Sequence, residues 1–80
     1  MKTFDALQQE AIDQINSGQS EVILDFSSVH RIDSNGAGAM ERLAGVAQER
    51  NARVVLRAVN MDIYKVLKLL KLTQHFSFLT

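Results

Sequence analysis

From Phe4 onward the apolar residues fall at Leu7, Ala11, Ile12 and Ile15, with mainly polar residues between them. That spacing predicts a helix with one buried stripe, capped by Thr3 and ended by Gly18. Glu21 to Phe26 reads Glu-Val-Ile-Leu-Asp-Phe, a short run with an unbroken apolar centre, which predicts a strand covered on both faces. Ser27 to Ser34 is a polar connection. From about Gly36 to Arg50 the helical period returns, with Ala37, Met40, Leu43, Ala44 and Ala47 on one face and Glu41, Arg42, Gln48 and Glu49 opposite. Gly36 and Gly38 suit a helix start where backbones approach closely. Arg53 to Val59 reads as a second strand of the same buried type. Asn60 then caps a third helix with Ile63, Val66, Leu67 and Leu70 inward and Lys65, Lys68 and Lys71 outward. Phe76 to Leu79 alternates apolar and polar residues and predicts a last short strand.

Helix, strand, helix, strand, helix, strand calls for an α/β fold: a small, mainly parallel sheet with right-handed crossover helices, a βαβαβ core preceded by a helix. Ile23, Leu24, Leu43, Val54, Leu56 and Leu67 are the expected core. Eighty residues without proline or an internal linker read as one domain, residues 1–80. A chain this short buries only about 60% of the surface its unfolded form exposes, so its margin of stability is thin.

Composition narrows the chemistry. Nine basic residues balance nine acidic ones, which gives no broad positive field for a nucleic acid. The absence of cysteine removes disulfides, thiolate nucleophiles and cysteine-containing zinc sites. His30 and His75 lie outside any metal-binding spacing and read as loop or surface residues, so no metal or cofactor is expected. No stretch approaches the roughly 18 apolar residues that cross a bilayer, and the first residues lack a signal-peptide run. A cytoplasmic location without membrane insertion is the expectation. Asp25, Asp33 and Glu41 can be imagined as a carboxylate site, but a strand-end aspartate and a helix-face glutamate are ordinarily structural or solvated, and without a histidine base or metal cluster beside them an enzyme is not expected.

In an open parallel sheet, function gathers beyond the carboxyl ends of the strands, which here is the run Arg31-Ile32-Asp33-Ser34-Asn35-Gly36-Ala37-Gly38. Ser34 is expected in the first turn of the second helix, where free N–H groups and the helix dipole favour an added negative charge. The same residues also serve as ordinary N-caps and turn formers. Local sequence leaves both readings open. Gly36-Ala37-Gly38 lacks the rest of a dinucleotide fingerprint or a P-loop.

A longer stretch separates the two readings. The run Glu-Val-Ile-Leu-Asp-Phe-Ser-Ser-Val-His-Arg-Ile-Asp-Ser-Asn-Gly-Ala-Gly-Ala, from Glu21 to Ala39, resembles the signature of the STAS family, the sulfate-transporter and anti-sigma-factor-antagonist domains. The likeness continues through Arg53-Val-Val-Leu and through the segment from Asn60 to Leu72. It implies that Ser34 is phosphorylated by a partner serine kinase of the anti-sigma type, with Asp33 supporting the turn. It further implies a partner-binding surface of Asp33, Ser34, Asn35, Gly36, Ala37, Met40 and Glu41.

Two features depart from the family pattern. Members usually begin with two strands ahead of the first helix, so the sheet is expected either to be completed by another chain, a homodimer being one such arrangement, or to keep an open edge. The family also more often places a leucine after the motif glycine, where this chain has Ala37. The expected role is an anti-sigma-factor-antagonist-like binding module in a partner-switching pathway. The alternatives are an accessory subunit on the ATPase of a bacterial phospholipid transporter and a stand-alone sulfate-permease-type domain.

Overall fold

The computed structural model of the protein describes residues 4–79, except for the side chain of Asp5. Helix α1 spans Phe4–Asn16, strand β1 Glu21–Asp25, helix α2 Ser34–Glu49, strand β2 Arg53–Arg57, helix α3 Met61–Leu69 and strand β3 Ser77–Leu79. A single 3-10 turn, Thr73–His75, links α3 to β3. The sheet order is β1-β2-β3, all parallel, so β2 is the centre strand and α2 and α3 are its crossovers. The expected cap at Thr3 lies outside the described residues. Gly18 ends α1 with φ +108°, a conformation that glycine enters without steric cost.

Burial explains the architecture. Val22, Leu24, Val54 and Leu56 join one cluster with Ala11 and Ile15 of α1, Met40, Leu43, Ala44 and Ala47 of α2, and Ile63 and Leu67 of α3. Residues of equal parity in a strand share a face. All three helices therefore cover the same face of the sheet, and the molecule has two layers. The other face carries Glu21, Ile23 and Asp25 of β1, Arg53 and Arg57 of β2, and Leu79 of β3, all exposed. Val55 is the exception there, buried between Ile23 and Ser77 in the register.

This corrects two expectations. β1 is not covered on both faces: its burial strictly alternates, and Ile23, expected in the core, is 57% exposed. The second strand also ends at Arg57 rather than Val59, because Ala58 turns into the left-handed region at φ +61° and breaks the extended run. Leu24, Leu43, Val54, Leu56 and Leu67 are buried as expected.

Leu56 sits at the middle of this arrangement, fully buried, with Leu24 and Phe78 beside it in the register. Leu56→Ala is expected to cost about 2 to 5 kcal/mol, the usual range for such a core truncation. Ile23→Ala, on the open face, is expected to change stability by no more than about 0.5 kcal/mol. Urea titration of the two variants checks the contrast. Similar losses from both would mean that the open face is covered in solution.

Candidate functional site

The carboxyl ends of β1 and β2 open onto two loops, residues 26–33 and 58–60, and each is fixed from within. At the end of β1 the Ser27 N–H donates to Asp25 Oδ1 at 2.9 Å, and the Val29 N–H donates to the Phe26 carbonyl at 2.9 Å. Phe26 is buried beneath the loop and meets Phe4 edge-on, with ring centroids 5.7 Å apart. Across the gap, Asn60 makes two bonds with one side chain. Its Oδ1 accepts the Ile63 N–H at 2.9 Å, capping α3 as the sequence predicts, and its Nδ2 donates to the His30 carbonyl at 3.0 Å. The second bond, which ties the two loops together, had no signal in the sequence.

The start of α2 is equally specified. Asp33 is the N-cap: its extended backbone leads into the helix, and its Oδ1 accepts the Gly36 N–H at 2.8 Å. The Asp33 carbonyl takes the Ala37 N–H at 2.8 Å. Gly36 is buried, and a Cβ built on it would lie 2.8 Å from Ile32 Cγ2. Ile32 is β-branched and stiff at that carbon, so the contact cannot easily relax. Gly36 therefore allows the loop to close on the helix. Gly38, expected to share that role, has nothing within 4 Å of its Cβ position and stands exposed.

The expected partner surface is thereby divided. Asp33, Ser34, Asn35 and Glu41 are exposed and Ala37 is half-buried. Met40 is fully buried in the core and has no side-chain surface to offer, which corrects its assignment to a contact face. The reason is the helical period: Met40, Leu43 and Ala47 share one stripe, and that stripe faces the sheet. Gly36 likewise lies behind the turn rather than on it.

Ser34 is the first residue of α2, directly after the cap. Because Asp33 supplies the capping oxygen, the Ser34 hydroxyl is not needed to start the helix. The Ser34 and Asn35 N–H groups have no intrachain acceptor among the described residues. Among the described residues no three or more His, Cys, Asp or Glu side chains cluster as a metal site, and no helix is long and apolar enough to cross a membrane.

Two measurements probe this loop. Gly36→Ala is expected to destabilise despite the roughly 1 kcal/mol of helix propensity that alanine adds, whereas Gly38→Ala is expected to gain up to about that amount. Thermal melts decide it, and a stabilised Gly36→Ala variant would overturn the close fit against Ile32. The Asp25 carboxyl is held below its ordinary value first by the Ser27 N–H, then by the Ser27 hydroxyl, and less by the Arg57 charge. A carboxyl lowered in the folded state contributes stability above its unfolded pKa and loses it as the pH falls through the folded value. Asp25→Asn is therefore expected to flatten the acid limb of the stability curve below about pH 4, read by denaturant titration across that range.

Comparison with known proteins follows the same lines. No curated protein matches the sequence. A crystal structure from Thermotoga maritima, of a protein assigned as an anti-sigma factor antagonist, superposes with a TM-score of 0.75 at 21% identity. The alignment covers 94% of this chain and 65% of that one, so the present chain spans under two thirds of its neighbour's length. At that identity the likeness establishes the fold. The family model for the STAS domain matches residues 1–80. Because that match runs from end to end and not through the Asp33–Gly38 turn alone, the chain belongs to the STAS domain family.

Proposed function

We propose that the chain is a protein-binding module of the anti-sigma-factor-antagonist type, released from its partner when Ser34 is phosphorylated. The observation that carries this reading is the division of labour between Asp33 and Ser34. Asp33 alone accepts the capping hydrogen bond, so the exposed Ser34 hydroxyl is spare for chemistry at a helix start. Family membership and the fold of the Thermotoga maritima neighbour support the same role.

The switch rests on charge. A phosphoryl group adds about −1.5 to −2 at pH 7. The helix dipole and the free Ser34 and Asn35 N–H groups favour that charge, so the fold tolerates it. Asp33 stands directly beside it, and two adjacent anions make the turn strongly negative where a partner docked against a neutral hydroxyl. The complex then separates. In this reading Asp33, Ser34, Asn35, Ala37 and Glu41 form the contact, the partner is a serine kinase or similar regulator, and catalysis belongs to that partner.

Ser34→Ala is expected to shift stability by no more than about 0.5 kcal/mol, since the cap remains with Asp33. It should abolish phosphorylation and leave the chain bound. Ser34→Asp is expected to fold and to bind weakly. Capture from soluble extract with wild type and both variants, combined with mapping of phosphate on the native protein, tests this. Equal capture by all three, with no phosphate on Ser34, would remove the switch and favour a constitutive transporter subunit.

A further inference from the structure

The chain is neutral overall, but its charges are segregated. Residues 4–30 carry five Asp and Glu and no Lys or Arg, whereas residues 50–80 carry six Lys and Arg and a single Asp. The fold turns this into a direction in space. β1 is one edge of the sheet, with α1 packed beside it, and β3 is the other edge, where Tyr64 of α3 meets Phe78 edge-on at 5.2 Å. The acidic elements therefore lie at one side of the molecule and α3 at the other.

The outward face of α3 combines two properties. Its buried arc is Ile63 and Leu67, with Val66 and Leu70 half-buried; on the opposite arc stand Met61, Tyr64, Lys65, Lys68 and Leu69, all exposed. Met61 is 69% exposed and Leu69 is 82% exposed. Eight residues separate them, which places them roughly 12 Å apart at the two ends of the helix. Lys65 and Lys68 lie between, and Lys65, Lys68, Leu69 and Lys71 line one shallow depression at the helix exit. Asp62, in the first turn, is the single acid on the helix.

We propose that this face adsorbs the protein to an anionic lipid surface, with α3 lying along the headgroups and Met61 and Leu69 reaching below them. Three arguments favour a lipid surface over an acidic protein. Apolar side chains at both ends of a convex helix can enter one flat interface together, whereas a protein would have to supply two separate pockets. The cations are lysines, mobile point charges suited to an unpatterned field of headgroups; the chain's arginines, better suited to paired carboxylates, lie elsewhere. The acidic side of the molecule points away and orients the encounter.

Vesicles of phosphatidylcholine alone, and of phosphatidylcholine with phosphatidylglycerol in equal parts, provide the test by co-sedimentation at low salt. Binding is expected only to the mixed vesicles, and it should weaken as salt shortens the screening length from about 10 Å towards 3 Å. Each of Lys65→Gln, Lys68→Gln and Lys71→Gln should lower partitioning about fivefold. The chain has no tryptophan, so Leu69→Trp gives a single indole whose emission should shift to the blue on mixed vesicles. Ser34→Asp should partition like wild type, which keeps this result separate from the switch. No sedimentation with the mixed vesicles, or an unchanged triple lysine variant, overturns the proposal. Binding of α3 to a soluble acidic protein without binding to vesicles also overturns it.

Discussion

One-sided burial is the constraint on which the rest of this structure depends. Three strands make a narrow sheet, and α1, α2 and α3 all cover the same face of it. Leu56 of the centre strand takes contacts from that layer and from both neighbouring strands, so the small core has a single middle. Everything on the far face must then be tolerable to water. Glu21, Asp25, Arg53 and Arg57 are, and Ile23 and Leu79 are the apolar residues that the arrangement leaves outside.

The same economy shapes the loops at the carboxyl ends. Phe26, Val29, Ile32 and Val59 anchor them on the core, and hydrogen bonds from side chains then fix their shape. Asp25 closes the turn after β1, Asp33 starts α2, and Asn60 both starts α3 and grips the neighbouring loop at His30. Gly36 completes the set by leaving room for Ile32. With so much of the turn specified by its neighbours, Ser34 is left without a structural task.

The elements themselves were legible in the sequence because each helix has a continuous stripe and each end has a recognisable residue. Gly18, Asp33 and Asn60 stand where their chemistry predicts, and the tail does form a strand. Three particulars were not legible. Val22-Ile23-Leu24 is apolar at every position, so no period distinguishes one covered face from two. Ala58 gives no hint of its left-handed conformation, since alanine rarely adopts one. Gly36 and Gly38 look alike in the chain, and only the position of Ile32 separates them. For the strand, Ala58 and the two glycines, the deciding fact is a packing contact or a dihedral angle that composition does not encode. Met40 was legible from the helical period, which sets it on the buried stripe with Leu43 and Ala47; only the family resemblance assigned it to a contact face.

The open face has a further consequence, for how the strands find each other. In the buried layer Val22 and Leu24 face Val54 and Leu56, and a slip of β1 by two residues would still set aliphatic side chains against aliphatic side chains. Hydrophobicity alone therefore reads several alignments as nearly equivalent. The water-facing side does not: Glu21, Ile23 and Asp25 lie opposite Arg53, Val55 and Arg57, and the Glu21 and Arg53 side chains meet at 3.7 Å. A two-residue slip would set a carboxylate against valine and isoleucine against a guanidinium. These exposed pairs, though weak as sources of stability, act as a proofreading mark that tells the correct alignment from its near copies while the chain is still folding.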